Sequence, residues 1–588
     1  MKRGFLVVCA AALLAASCTS GDNAQTPRVI VLGIDGGTWT VIEPMMEAGE
    51  LPNLKKLCDT GIHGILESRP PILSPVVWTT IFTGFGFSKH GIKDWKTSQS
   101  VNRRVNAIWE IMRDQKQKVD VFNVPGTWPA DPIPGVMLSG FPLSGATMGG
   151  NTGEFLTPEQ LDQGKVSGPY RDNTGVIKDA VMQIPVGKWT PWLPARIATR
   201  PSFRGTLRAM HYSDDNIYVS PVYRTDDGLV ASEPKNARSE VSAKIGEPYI
   251  PEGPGWSRWD QEHVADVLYD HLDQVFSIQS KGAELYAGDD WRLFLYVMTF
   301  VDRISHPYWG YAHPDNFPNM DREKAKKYEN FVANAYRRSD EELGKILAKV
   351  KGTPYVVIVS DHGFQSSTDP EKAIGTHNPD GIYIVSGPKI TQKTGLPKFI
   401  EDVTPTLLYL LNMPVGQDMD GKVFSEVVEM VGRPPSSIPT WEKNPRASTD
   451  KPVDKSTWES LRGLGYVDGA APRAQDKTQG PGAAGAGAAT RPGQSRAPGS
   501  APGAMPPGMA GTPGIPGTPP SPPSRNGGVP AAPTGQVVVP NALDNWPEDK
   551  GQAAPAKPAP ANPGKPADSG NADKKAGDEP AAPDEKGD

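Results

Sequence analysis

The sequence predicts an α/β fold on a mainly parallel central sheet, and three segments carry that expectation. Arg28-Val-Ile-Val-Leu-Gly-Ile-Asp35, Arg292-Leu-Phe-Leu-Tyr-Val-Met-Thr-Phe-Val-Asp302 and Tyr355-Val-Val-Ile-Val-Ser-Asp361 are near-continuous apolar runs that each end at an aspartate. A strand with one wet face alternates apolar and polar residues. A run without that alternation suits a strand covered by helices on both faces, as in a parallel sheet. Open sheets of this kind bind ligands beyond the carboxyl ends of their strands. Asp35, Asp302 and Asp361 are therefore expected at one edge.

The remaining elements follow in chain order. Residues 1–18 read as an export signal: Lys2 and Arg3 supply the positive end, Phe5 to Leu14 the apolar stretch. Leu13-Leu14-Ala15-Ala16-Ser17-Cys18 resembles a bacterial lipobox, which makes Cys18 the expected lipidation site and 19–27 a polar tether. The expectation is an exported bacterial lipoprotein, anchored to the membrane on its periplasmic or cell-surface side. After the first strand, Leu51 to Gly61 reads as a helix with Pro52 in its first turn and Gly61 as its stop. Pro75 suits the first helical position, which places Ser74 at the N-cap of a helix running to Thr83. There, backbone amides and the helix dipole favour an anion.

From 140 to 256 the chain becomes rich in Gly, Pro, Trp and Tyr, with short alternating pieces such as Asn216 to Tyr223, and reads as an inserted, mainly β or irregular subdomain. Val264, Val267, Leu268, Leu272, Val275 and Phe276 have the spacing of a core-facing helix. Asp402 is expected to cap a helix reaching Leu411. The folded domain spans 28–468. Residues 469–588, dominated by Ala, Pro and Gly, cannot bury enough apolar surface to offset chain entropy and are expected to be disordered. Of three cysteines, Cys9 and Cys18 fall in the signal and Cys58 stands alone, so no disulfide framework is expected. The formal net charge of −6 gives no support for a nucleic-acid partner.

Three carboxylates, three imidazoles and one hydroxyl stand out: Asp35, Asp302, Asp361, His306, His362, His377 and Ser74. Asp and His ligate zinc through oxygen and nitrogen. Asp302 and His306, four apart, share one face of a helical turn, and Gly363 is expected to permit a sharp turn that turns both Asp361 and His362 inward. A cation beside a serine stabilises its alkoxide. Two cations with an activated hydroxyl are a standard arrangement for displacement at phosphorus. Taken singly, each of these signals has an ordinary structural explanation; their order and context give them force.

In that order and context the chain resembles the alkaline phosphatase superfamily, in its type I phosphodiesterase and nucleotide pyrophosphatase branch. The residues that carry the resemblance are Val31-Leu-Gly-Ile-Asp-Gly36, Ser74-Pro-Val-Val-Trp-Thr-Thr-Ile-Phe-Thr-Gly84, His90-Gly-Ile92, Asp302 with His306, Ser360-Asp-His-Gly363 and His377-Asn-Pro-Asp-Gly381. The resemblance implies two divalent metal ions, zinc with manganese as the alternative. It puts Asp302, His306 and His377 on one, and Asp35, Asp361, His362 and the Ser74 oxygen on the other. It makes Ser74 the nucleophile of a covalent intermediate and a small-molecule phosphate ester the substrate.

Two positions depart from the branch. Ser74 stands where many members have Thr, and Lys93-Asp94-Trp95 stands where they place a phosphoryl-contacting Asn. The Cys- or Ser-x-Pro-x-Arg motif of sulfatases is not matched by Ser74-Pro75-Val76-Val77-Trp78. His63, His211, His263, His271 and His313 read as structural or surface residues, and His90 as orienting its loop. Trp189 and Trp192 read either as packing or as pocket lining. Alternatives to hydrolysis are phosphoryl transfer to an alcohol, as in a transferase or mutase, and a non-catalytic binding lipoprotein.

Overall fold

A computed structural model describes residues 26–140, 147–148, 153–166, 168–225, 231–251, 253–254, 265–369 and 372–443. The signal, Cys18, His263, Val264 and the C-terminal tail lie outside the described residues, as does most of the tether.

The frame is a ten-stranded sheet. Its path runs Ser232–Glu233, Met137–Leu138, Val119–Phe122, Leu293–Met298, Val29–Ile34, Tyr355–Val359, Asp380–Ser386, Ile62–Glu67, Lys393–Thr394, with Lys398–Phe399 also paired to Ile62–Glu67. The five neighbours from Met137–Leu138 to Tyr355–Val359 are mutually parallel. Antiparallel pairing enters where Asp380–Ser386 joins Tyr355–Val359 and Ile62–Glu67, and at the opposite edge where Ser232–Glu233 joins Met137–Leu138. The three apolar runs are the adjacent central strands, as their lack of alternation requires. Ile30, Leu32, Ile34, Phe294, Tyr296 and Met298 pack into one core, while Val29, Val31, Leu293, Leu295 and Val297 pack into another on the opposite face.

The first face carries the helices Pro52–Thr60, Ala265–Ala287, Phe300–Ala312 and Phe331–Lys349; the second carries Ser74–Thr83, Ile108–Asp114, Val403–Leu410 and Ser425–Val431. Pro52 does open its helix and Gly61 follows its last residue. Asp402 is the N-cap position of the helix Val403–Leu410. Its carboxylate does not cap that helix, however; it accepts from the Phe399 and Lys422 amides, at 3.2 and 2.7 Å.

Between Leu138 and Ser232 the chain leaves the sheet and builds a layer of its own. Three strands (Glu154–Leu156, Asn216–Val219, Ala209–Ser213) form one small sheet and four (Thr147–Met148, Val222–Arg224, Gly205–Leu207, Leu193–Ala195) another. The short helices Pro158–Asp162, Gly168–Arg171 and Thr174–Val181 join them around a separate core that includes Tyr170, Ile177, Leu207, Ile217 and Val219. The layer is therefore mixed, with short helices beside its strands, where the sequence reads as mainly β or irregular. Its helices are too short to leave an apolar period in so Gly- and Pro-rich a stretch. No described helix is long and apolar enough to cross a membrane.

Candidate active site

Register delivers the acids. Ile34 pairs with Met298, and Gly33 with both Val297 and Val359, so the three central strands end level. Asp35 is the next residue after its strand. Asp361 is two residues beyond Val359, and Asp302 lies in the first turn of the helix Phe300–Ala312. All three are buried, Asp35 at 1% exposure, Asp302 at 3% and Asp361 at 0%.

The histidines close on them. His306 Nε2 and His377 Nε2 each lie 3.4 Å from Asp302 Oδ1, and 3.1 Å from one another. His362 Nε2 lies 3.3 Å from Asp361 Oδ2, 3.6 Å from Asp35 Oδ1 and 3.9 Å from Asp302 Oδ1. The opposite nitrogen of each ring meets a backbone carbonyl: His306 Nδ1 with Gly375 at 3.2 Å, His362 Nδ1 with Gly363 at 3.2 Å, His377 Nδ1 with Ile72 at 3.0 Å. Nδ1 must then carry the proton and donate it, which leaves three Nε2 lone pairs aimed into the cluster. That is the tautomer a metal-ligating imidazole uses.

The unpaired atoms point the same way. Asp35 Oδ1, Asp302 Oδ1, Asp361 Oδ2 and His362 Nε2 are buried without a hydrogen-bond partner among the described residues. Each costs about 1–3 kcal/mol if nothing satisfies it, so four that converge call for a shared positive charge. Electrostatics agree. Burial together with the neighbouring acids holds Asp35 and Asp361 well above the usual carboxylate range. Burial also pushes Asp302 up, but His306 and His377 outweigh it and hold it well below. Burial and then His377 push His362 well below its ordinary value. Three carboxylates this close cannot all ionise in a dry site without cations.

The donor set fits divalent metal. Asp302, His306 and His377 form one group of ligand atoms within 4.8 Å of each other; Asp35, Asp302 and His362 form a second. The grouping of carboxylate and imidazole atoms differs in two respects from that implied by the resemblance. Asp302 is common to both groups, and Asp361 stands beside the second through its contact with His362.

Supporting bonds fix these groups. Trp78 Nε1 donates to Asp35 Oδ2 at 3.0 Å, and the Gly36 amide to Asp361 Oδ1 at 3.2 Å. Ser360 Oγ accepts from the Gly37 amide at 2.8 Å and donates to the His362 carbonyl at 2.6 Å. Ser68 donates to the Asp361 carbonyl. Gly36 has φ +75°, which turns the chain away from Asp35 beneath the Phe364 ring. Gly363 works differently from the expected turn. It opens the strand Gly363–Ser366, and a Cβ there would stand 2.4 Å from the Asp380 carbonyl. It is small because two strands meet there.

Ser74 is buried at the start of the helix Ser74–Thr83. It occupies the first helical position, not the N-cap, which is Leu73; Pro75 takes the second. Two residues before it, the Ile72 carbonyl holds His377; four residues after it, Trp78 holds Asp35. Ser74 is thus bracketed by bonds to both groups of ligands. The segment that departs from the resemblance is spent locally. Asp94 caps a short turn by accepting from the Thr97 amide at 2.9 Å, Trp95 is buried, and Lys93 is exposed. His90 accepts from the Ile92 amide through Nδ1 at 3.1 Å and meets Thr80 through Nε2 at 3.0 Å, which orients its loop.

Trp78, Ser68 and the three carbonyls were not identified as site residues from the sequence. The carbonyls have no side-chain signature to find. Trp78 had one, its i+4 spacing from Ser74 on a single helix face.

Residues 29–380, more than half of the chain, match the family described as Type I phosphodiesterase / nucleotide pyrophosphatase. No curated protein matches the sequence. Among solved structures, the phosphonoacetate hydrolase of Sinorhizobium meliloti 1021, in complex with phosphonoformate, is 15% identical. That match has a TM-score of 0.30 and covers 58% of this chain and 59% of that one. The 2-O GAG sulfatase BT1596 is 11% identical with a TM-score of 0.36, over 71% of this chain and 76% of that one. The family is typically metal-dependent, in keeping with the two ligand groups found here. The chain therefore belongs to the type I phosphodiesterase / nucleotide pyrophosphatase family, and is an ester hydrolase.

Proposed function

We propose that this hydrolase cleaves a phosphodiester by way of a covalent intermediate on Ser74, with two divalent cations, zinc in the first instance, held by the Asp and His cluster. The observation that carries the reading is the bracketing of Ser74. His377 bonds two residues upstream of Ser74 and Asp35 four residues downstream, which supports a role for the Ser74 hydroxyl beside the two sets of ligand atoms.

In this reading Ser74 Oγ attacks phosphorus and forms the new P–O bond while the alcohol of the ester departs. Water then attacks the same phosphorus, and Ser74 leaves with its oxygen restored. Bound cations would favour the alkoxide of Ser74 and offset the charge gathering on the phosphoryl oxygens. The chain's own contribution is placement. Trp78 and Gly36 aim the carboxylates, and the three carbonyls aim the imidazoles. Phosphate is favoured over sulfate because the segment from Ser74 to Trp78 lacks the Cys- or Ser-x-Pro-x-Arg motif.

The test is an acid quench of zinc-loaded protein during turnover of bis(p-nitrophenyl) phosphate, followed by peptide mapping. The expected result is a phosphoryl ester on Ser74 and on no other residue. Burst turnover with the adduct elsewhere, or steady turnover by Ser74→Ala at the wild-type rate, would remove Ser74 from this role.

A further inference from the structure

Along the strand Ala209–Ser213 and its neighbour Asn216–Val219, side chains divide by register. Ala209, Ile217 and Val219 enter the inserted layer's own core, whereas Met210 and Tyr218 join the main core. Arg208, one residue before this strand and in step with Met210, is buried to 6% exposure. Its backbone is fixed by exchange with Ser220: the Arg208 amide donates to Ser220 Oγ at 3.0 Å, and the Ser220 amide to the Arg208 carbonyl at 2.8 Å. Its guanidinium lies over two indoles, 4.2 Å from the Trp189 ring centre and 4.8 Å from that of Trp192.

Among the described residues, two nitrogens of this guanidinium have no hydrogen-bond acceptor. Arg208 Nε and Nη2 have no partner, nor do Trp192 Nε1 and His271 Nδ1 beside them. Asp270 is the nearest acid in sequence to His271, but it takes the Trp189 indole N–H and Gln274 Nε2 and makes no bond to the guanidinium. His271 Nε2 meets the Tyr223 hydroxyl at 2.9 Å; when that hydroxyl donates, His271 Nδ1 carries a proton. The orphans are thus donors. Nε and Nη2 form one edge of the guanidinium, and that edge matches two oxygens of a carboxylate, sulfate or phosphate. A cavity of about 390 Å³ opens elsewhere on the same strand and helix, lined by Met210, Tyr212, Asp266, Asp270 and Lys327 and by none of Arg208, Trp192 and His271.

We propose that Arg208, Trp192 and His271 form an oxyanion-binding site between the inserted layer and the helix Ala265–Ala287. Its ligand is a small molecule or group bearing a carboxylate, sulfate or phosphate, received by the free edge of Arg208 and the indole N–H of Trp192. The aromatic walls exclude water from the pair and so strengthen it. The site is separate from the Asp and His cluster, and its existence does not depend on Ser74 chemistry.

The test is the melting temperature of the full chain, titrated with inorganic sulfate, inorganic phosphate or acetate at constant ionic strength. A ligand bound only by the folded state raises the transition by mass action. The expected result is a saturable rise in the wild type with at least one probe, its midpoint moved about tenfold or more, or its rise abolished, by Arg208→Met. Trp192→Phe keeps the ring and removes the N–H, and is expected to weaken the same midpoint several-fold; it serves if Arg208→Met does not fold. The probe with the tightest Arg208-dependent midpoint distinguishes planar carboxylate from tetrahedral oxyanion. An equal rise in wild type and both variants, or no saturable rise with any probe, would overturn the proposal.

Discussion

Asp35 illustrates how much one residue can reveal of its own role. Its place is legible from the apolar run before it, and so are those of Asp302 and Asp361, because a buried parallel strand has a strong compositional signature and its end is abrupt. What holds each acid is not legible. Trp78 lies 43 positions from Asp35 in sequence, yet its indole donates a hydrogen bond to that carboxylate at 3.0 Å. Trp78→Phe keeps the packing and deletes the donor. Loss of a bond to a ligating group costs roughly 10–100-fold in metal affinity or activity. The expectation is a drop in kcat/KM of that order, partly recovered by added zinc, with an unchanged circular dichroism spectrum. A variant with wild-type zinc dependence would show that the indole only packs. Ser74 was placed by its Pro75 neighbour to within one position. The helix start is set by Leu73 backbone geometry, which composition does not report.

The strand Val119–Phe122 shows an element with an electrostatic cost of its own. Asp120 faces no solvent. Oδ1 accepts from the Val136 amide at 2.8 Å, and Oδ2 has no partner. Burial pushes its carboxyl up to about 6. The folded state therefore holds this proton more tightly than the unfolded chain does. The stability it contributes is complete below about pH 4 and is lost as pH rises towards about 6, a change of about 3 kcal/mol for a shift of about two units. Asp120→Asn removes this dependence. Urea unfolding should show the variant gaining about 2–3 kcal/mol on the wild type between pH 4 and pH 7, and a difference that does not change with pH would contradict the assignment. The strand itself was not identified from the sequence: four residues with an acid among them give no clear period. The inserted layer was hidden for a related reason. Its helices are only four to eight residues long, and their stability comes from the shared core around Tyr170 and Leu207.

At the scale of the whole molecule, the sheet brings together residues that the sequence keeps far apart. Asp35, Ser74, Asp302, His306, Asp361, His362 and His377 span most of the region that matches the family, and level strand ends bring the acids to one edge. The central fold was readable because its buried strands are locally consistent with their final state. The ligand groups were readable only as a set, since the shared position of Asp302 depends on side-chain directions that spacing does not determine. The central claim is that this set, once loaded with metal, turns the Ser74 hydroxyl on a phosphodiester. The most direct measurement is turnover of bis(p-nitrophenyl) phosphate and p-nitrophenyl phosphate by the full chain. It would compare zinc-loaded protein, EDTA-stripped protein, stripped protein with zinc restored, and Ser74→Ala. The account predicts preference for the diester, loss of turnover on stripping, recovery with zinc, and no turnover by Ser74→Ala. Diester turnover that survives both EDTA and the loss of Ser74 would contradict it.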